Sequence, residues 1–404
     1  MNCISSLSIV TFICAMCHTS LYATDLSDSS HIVQEEGVRI IQDGKHTSSY
    51  IVSNSPSGEN LIGITDMPVY ESDSIPAIFR LTFLSHANSK KTTSQTTDDC
   101  EEVCFGNPVT PLLSTKWGQT WPFNAMLPET DGELSVAGCV ATAMAQVVNY
   151  YRWPENFNPV PHDIHIPGNY PPVYPVDWSS IPPTSFDYDL TLNWYPETDS
   201  RELTPNQEAV AKLTYYCAQS MHTHYGKTSD AIFLNLPYVM NEMFGYEMAK
   251  SYYYPSATSD EEWGTRLYEE LAMGHPVLYE LQPGGPGYGH ACVIDGYLDG
   301  YMFHFNFGWN GWLDGYYDIR GVVSEHLDYH STRTICGVVP SRTYSGINSV
   351  VPDASETMTV YSINGSVVYN GLSEGFDKTK VPAGLYITRT ADSIRKIFFP
   401  GNNQ

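Results

Sequence analysis

Four side chains suited to acyl transfer occur in the order Gln119, Cys139, His290, Asn306. A thiol beside an imidazole supplies a nucleophile and the base that takes its proton. A carboxamide that accepts the far ring N–H fixes the tautomer, and a donor near the thiol offsets the charge that develops on an attacked carbonyl oxygen. Cys139 lies in VAGCVATAMAQVVNYY, residues 136–151, where Val140, Met144, Val147, Val148 and Tyr151 recur at helical spacing. Ala141, Ala143 and Ala145 let other elements approach closely. The pattern predicts a buried helix ended by Pro154, with Gly138 permitting a tight turn into it and Cys139 in the first turn. There the helix dipole, with an imidazolium nearby, is expected to bring the thiol from about 8.5 into the range ~3.5–7.5. Taken alone, the same cysteine reads as an inert core thiol.

His290 follows the glycine-rich run GGPGYG and opens the strand-like stretch Ala291 to Ile294. The glycines look like a phosphate cradle, but no Gly-Lys-Ser/Thr follows and no helix opens, so they read as a flexible rim around a cleft. Asn306 sits among aromatics and glycines in FHFNFGWNGWLDGYY and is placed to accept the imidazole N–H. His304 is expected on the opposite strand face, as a packed or exposed histidine and not a second base. Gln119, in KWGQTWPFN, is positioned to join the Cys139 N–H as oxyanion donor.

The elements that must position these residues are distributed over 404 residues with 42% hydrophobic and 13% aromatic content, enough for two or three domains and a sizeable core. A net charge of -25 repels phosphate backbones and anionic headgroups, so nucleic acid is excluded as a partner. An apolar stretch from Leu7 to Met16 with Ala23 beyond it reads as a signal peptide over residues 1–23, which places the product outside the cell, secreted or at the surface. Met16 and Ile13 are poor residues to precede a lipid-bearing Cys17 or Cys14, and no later stretch is long enough to cross a bilayer. Export permits disulfides among Cys100, Cys104, Cys139, Cys217, Cys292 and Cys336. Cys100 and Cys104 read as a local disulfide or free thiols, since two further zinc ligands are lacking nearby. His222 and His224 also lack a third ligand, so neither metal nor cofactor is expected.

From Ser29 to Phe83 short β-rich runs alternate with turns, as in a small α+β unit, and the polar stretch SHANSKKTTSQTTDDCEE reads as an exposed, cleavable linker containing Lys90 and Lys91. From Pro108 to Pro340 helical text precedes strands, an α+β pattern, with further helices in NQEAVAKLTYYCAQSM and DEEWGTRLYEELAMG. The Pro-rich stretch RWPENFNPVPHDIHIPGNYPPVYPVDWSSIPP, ahead of both, is a surface excursion. The tail from Val350 onward carries three or four strands joined by tight turns, a small β unit.

GCVATAMAQVVNYYRWP, YGHACVIDGY and FHFNFGWNGWLDGYY resemble the three signature stretches of the streptopain family of secreted bacterial cysteine peptidases, over roughly Pro108 to Pro340. The resemblance implies a papain-like α+β catalytic domain, Cys139 as nucleophile, His290 as base, Gln119 as oxyanion donor, and Asn306 with Phe307 and Trp309 supporting the histidine. It also implies a zymogen, because NLIGITDMPVYESDSIPAIFRLTFLS is similar to the end of that family's propeptide, an intramolecular inhibitor of the cleft. The organisation so implied is a signal peptide at 1–23, propeptide and linker at 24–107, peptidase domain at 108–340, and a linker with a small C-terminal β module at 341–404. That module resembles sorting or surface modules of Bacteroidetes proteins. Substrates would be proteins or peptides with an apolar residue just before the one at the cut, its pocket lined by Ser229 and Ala231 of YGKTSDA together with Gly289. The chain departs from the family pattern at Phe307, where tryptophan is usual, and at Ala231, where some relatives carry serine. A catalytically weak surface-binding or adhesin protein on the same scaffold is one alternative, and a Cys-His amidase or acyltransferase is another.

Overall fold

The computed structural model describes residues within 32–69, 103–161, 176–340 and 357–399, apart from 36–37, 43–47, 56–57, 248–249, 254–258, 282–288, 323–332, 337, 363–365, 373–380, 382–383 and 390–393. The expected signal peptide, the linker with Lys90 and Lys91, Cys100, residues 162–175 of the Pro-rich excursion and the glycine-rich run before Gly289 lie outside the described residues.

Short runs rich in Ile and Val near the N-terminus form β1 (Ile32–Glu35), β2 (Val38–Gln42), β3 (Ser49–Ser55) and β4 (Gly58–Thr65). A small hairpin of β5 (Glu129–Thr130) and β6 (Glu133–Leu134) and a longer-range antiparallel pair of β7 (Asn156–Phe157) and β8 (Thr184–Ser185) follow. The remaining strands of the main block are β9 (Lys250–Tyr253), β10 (Val277–Leu281), β11 (His290–Tyr297), β12 (Met302–Asn306), β13 (Gly315–Asp318) and β14 (Arg333–Cys336). They join the N-terminal strands in one antiparallel sheet, in the order β1-β2-β3-β4-β13-β12-β11-β10-β14-β9. The N-terminal strands therefore extend the main sheet, with Ile64 opposite Tyr316 and Thr65 opposite Gly315. Close approach at this junction depends on Gly315, where an added Cβ would stand 2.2 Å from the Ile64 carbonyl oxygen.

Four helices accompany the sheet: α1 (Cys139–Tyr151), α2 (Pro205–Ser220), α3 (Leu236–Glu242) and α4 (Asp260–Ala272). Thr204 and Gln207 form a reciprocal capping box at the start of α2, and Ser259 caps α4. α1 is buried along almost its whole length and packs on β11 and β10, so Val140, Met144, Val147 and Val148 share a core with Leu278, Ala291 and Val293. Each such large side chain contributes about 1.5–3 kcal/mol by leaving water. α4 lies against the opposite face, where Trp263, Leu267 and Leu271 meet Val277, Tyr279, Cys292 and Ile294. Being covered on both sides, β10 and β11 are buried end to end.

The C-terminal strands β15 (Thr357–Ser362), β16 (Val367–Leu372), β17 (Gly384–Arg389) and β18 (Ile394–Phe399) make a separate antiparallel sheet, ordered β16-β15-β17-β18, over Met358, Val360 and Tyr386. Among the described residues Cys104, Cys139, Cys217 and Cys292 are free thiols. No described helix is long and apolar enough to cross a membrane.

Candidate active site

Gly138 turns the chain into α1 with φ 85° and ψ 145°, a conformation that side-chain-bearing residues avoid. A Cβ there would also come within 3.1 Å of the Ser229 carbonyl oxygen. Cys139 is thereby the first helical residue, partly buried, with the peptide N–H dipoles of Ala291 and Val140 near enough to favour negative charge on its sulfur. Ala291 is next to His290, so the start of the helix lies beside the start of the strand.

The electrostatics differ from the expected ion pair. Burial pushes the Cys139 thiol up, the peptide N–H groups oppose it, and the negative charge of Glu280 adds to the rise. Loss of hydration at the buried sulfur outweighs the helix N-terminus. His290 is pulled down to about 4, chiefly by burial and against its bond to Phe307. The pair at rest is consequently an uncharged thiol and an uncharged imidazole.

His290 Nε2 donates to the carbonyl oxygen of Phe307 at 2.8 Å. Neutral imidazole carries one ring proton, so this bond leaves the lone pair on Nδ1 for the thiol. Asn306 does not serve as the expected acceptor. Its Nδ2 donates to the Thr115 carbonyl at 2.8 Å, and its Oδ1 accepts from Gln146 Nε2 at 2.9 Å and from the Gly308 N–H at 3.1 Å. Asn306 therefore fixes the turn that presents the Phe307 carbonyl. The indole lost at Phe307 is not what holds the ring in this chain, since the contact comes from main chain. The Phe307 side chain is buried between Phe305 and Trp309, with near-parallel rings at 5.7 and 5.0 Å, and Trp309 covers the imidazole at 4.5 Å.

Gln119 lies beside the approach to the nucleophile, its carbonyl accepting from the Ala137 N–H at 2.8 Å. Ser229 is buried against Gly138, with its Oγ accepting from the Gly226 N–H at 3.0 Å. Ala231 packs on the same core as Cys139, and Gly289 is exposed at the start of β11.

Sequence reasoning missed the group behind the histidine. His304 and Asn306 share one face of β12, since they are two residues apart, while Phe303, Phe305 and Phe307 fill the other. His304 is buried, with Nδ1 2.6 Å from Asp295 Oδ1 and Nε2 3.3 Å from Asp66 Oδ2. Burial disfavours its charge, yet Asp295 and Asp66 prevail and raise it to about 10. Burial also opposes ionisation of Asp66, but His304 brings its carboxyl below the ordinary value. The Asp66 N–H donates to the Asp314 carbonyl at 2.7 Å, and Asp314 Oδ1 accepts from the Phe307 N–H at 2.8 Å. Asp314 itself is raised to about 7 by burial, against that bond. An aspartate beside the turn glycines in WLDGYY was the available signal for Asp314; nothing local marked Asp66. Among the described residues no group of three or more His, Cys, Asp or Glu could hold a metal, and His224 faces Asp230 at 3.1 Å.

A sequence profile of the peptidase C10 family matches residues 117–317. A thiol protease/hemagglutinin, PrtT, of Porphyromonas gingivalis is 31% identical over 213 residues, which cover 51% of this chain and 22% of the relative. Streptopain of Streptococcus pyogenes is 28% identical over 225 residues, 52% of this chain and 55% of the relative. The chain thus spans about half the length of streptopain, and less of PrtT. A fragment of Prevotella intermedia prointerpain A superposes with a TM-score of 0.59 at 26% identity, over 76% of this chain and 98% of the fragment. The α+β architecture, the helix that opens on Cys139 packed against the strand that opens on His290, and these matches together place the chain in the peptidase C10 family, the streptopain-like cysteine peptidases of papain-like fold.

Proposed function

We propose that the chain is an exported cysteine endopeptidase made as a zymogen and needing no cofactor. The observation that carries this reading is the packing of Cys139, at the start of α1, on the core that holds Ala291, next to a His290 whose Nε2 is committed to Phe307 and whose Nδ1 is the remaining basic site. In the reaction Nδ1 takes the sulfur's proton and the sulfur attacks a peptide carbonyl carbon. The oxyanion is held by the Cys139 N–H at the start of α1 and by the Gln119 carboxamide. The tetrahedral adduct collapses as imidazolium protonates the leaving amine, leaving a thioester. His290 then deprotonates a water that attacks the thioester, releasing the acid and restoring the thiol. With both groups neutral at rest, charge separation is confined to the moment when oxyanion donors and substrate are in place.

The zymogen reading rests on β1–β4, which occupy the edge of the catalytic sheet, and on Asp66, which joins His304 and Asp314 behind the catalytic turn. Similarity to a solved proform agrees with it. Gly289, Ser229 and Ala231 are assigned to the pocket for the residue preceding the one at the cut, and the C-terminal sheet to a surface or sorting module. The test is Cys139→Ala, which abolishes caseinolysis and self-processing. Cleavage at the wild-type rate by that variant would reject the mechanism, and an epoxide alkylating agent that failed to mark Cys139 in the processed chain would favour a binding protein.

A further inference from the structure

Gln146 is buried on α1, seven residues after Cys139, between the apolar Ala145 and Val147. At about 3.6 residues per turn, seven residues return to the same side of the helix, about 10 Å further along. That side lies on the turn that follows β12. Thr142, between the two, is so near the main chain of Gly308 that a Cβ added there would stand 3.0 Å from its Cγ2. A carboxamide in such a place is costly unless both of its ends are bonded.

Both ends are bonded, in a closed ring with Thr115 and Asn306, which are also buried. The direction of each bond follows from one fixed donor. The Gly308 N–H can only donate, so the Asn306 atom that receives it at 3.1 Å is Oδ1. Gln146 then donates to that same oxygen through Nε2 at 2.9 Å, and its Oε1 accepts from the Thr115 hydroxyl at 2.8 Å. Asn306 Nδ2 closes the ring on the Thr115 carbonyl at 2.8 Å. One oxygen of Asn306 thus receives both the helix and the turn. Phe307, which lies between Asn306 and Gly308, offers its carbonyl to His290 Nε2 at 2.8 Å. A methionine would fill the space of Gln146 as well; what the carboxamide adds is a fixed direction between the two elements. We infer that Gln146 is a positioning residue for the Cys139–His290 pair: it ties the helix that carries the thiol to the turn that orients the imidazole, and so sets how the sulfur meets Nδ1. The inference rests on the peptidase reading.

The experiment uses the full chain, matured by tagged wild-type enzyme that is then removed, and a fluorogenic peptide with an apolar residue just before the one at the cut. Gln146→Met keeps the volume and removes both bonds. Its kcat is expected to fall by about 10- to 100-fold, the effect of misplacing reacting groups by up to about 1 Å, with KM changed by no more than about twofold. The acid midpoint of its kcat/KM profile, set by His290 at about 4, is expected to stay in place. Gln146→Glu keeps the acceptor for Thr115 but donates to Asn306 only when protonated, and burial raises its carboxyl. Its kcat relative to wild type is therefore expected to rise severalfold as pH is lowered. In Asn306→Ala, where the shared oxygen is gone, adding Gln146→Met is expected to lower kcat by no more than about a further twofold. Wild-type kcat in a folded Gln146→Met, a Gln146→Glu ratio that does not move with pH, or full additivity with Asn306→Ala would each overturn the inference. Should Gln146→Met fail to fold, the pH dependence of Gln146→Glu decides alone. A wild-type chain that neither cleaves the peptide nor is alkylated at Cys139 by an epoxide would instead remove the peptidase reading, and this inference with it.

Discussion

Nε2 of His290 lies 2.8 Å from the carbonyl oxygen of Phe307, so the tautomer of this imidazole is set by main chain. A backbone acceptor is indifferent to the side chain beside it, which explains how phenylalanine is tolerated where the family usually carries tryptophan.

Replacing Phe307 by Trp is accordingly expected to change kcat/KM by no more than about threefold, well under the tenfold that 1.4 kcal/mol represents. Phe307→Ala should behave differently, because the ring is 1% exposed and stacked on Trp309. Loss of a buried phenylalanine destabilises by about 3–5 kcal/mol, read as a lower urea midpoint at unchanged slope.

Asn306→Ala leaves the Thr115 carbonyl and the Gln146 amide without their buried partner and frees the Gly308 N–H. The expected loss is about 1–3 kcal/mol of stability. Because the Phe307 carbonyl still accepts from His290, the acid limb of the kcat/KM profile should keep its midpoint in the folded variant. A moved midpoint would return Asn306 to direct contact with the ring.

Much of this arrangement was legible in the chain. α1 and its cysteine were marked by the i, i+3, i+4 pattern after Gly138, and α2 and α4 by the helical stretches NQEAVAKLTYYCAQSM and DEEWGTRLYEELAMG. The order Gln119, Cys139, His290, Asn306 pointed to the family that the comparisons show. What stayed hidden were pairings over long separations. Asp66 and His304 are 238 positions apart and meet only because β4 pairs with β13, which no local pattern encodes. The expected low thiol pKa failed for a related reason: a helix start is visible in sequence, but the burial that outweighs it is not.

Titration offers a direct check on the uncharged pair. With His290 at about 4 and the Cys139 thiol above its ordinary value, alkylation of resting Cys139 should rise along a single limb with a midpoint higher than that of free cysteine. A preformed thiolate–imidazolium pair would instead give a plateau of reactivity in mild acid. Substrate turnover should fall on acidification through about 4, as His290 becomes protonated and ceases to act as base.

The Asp66–His304 contact predicts how firmly the N-terminal strands are held. His304 is raised to about 10 from an ordinary 6.5, so its contribution is fully present below 6.5 and lost as pH rises through about 10. Asp66 is lowered, so its contribution is present above 3.8 and lost as pH falls through its folded value. Asp314 is raised to about 7, which favours the neutral acid and weakens the assembly as pH passes about 7. Retention of the N-terminal fragment after the linker is cut should therefore be firmest between about 4 and 7. Size-exclusion chromatography of the nicked chain measures this directly. Asp66→Asn should release the fragment at lower dilution, and identical elution of variant and wild type across that range would refute the contact's role.

The ladder joining Gly63, Ile64 and Thr65 to Tyr317, Tyr316 and Gly315 has a further implication. Scission of the connecting segment severs no bond of that ladder, so the detached piece persists as a noncovalent subunit. On the proposed zymogen reading its departure is a separate dissociation governed by dilution, which would uncover the N–H and C=O groups of Gly315, Tyr316 and Tyr317 as a raw sheet margin. The freed strands of one molecule can then dock in trans on another, so the extent of unmasking depends on total protein as well as on cleavage.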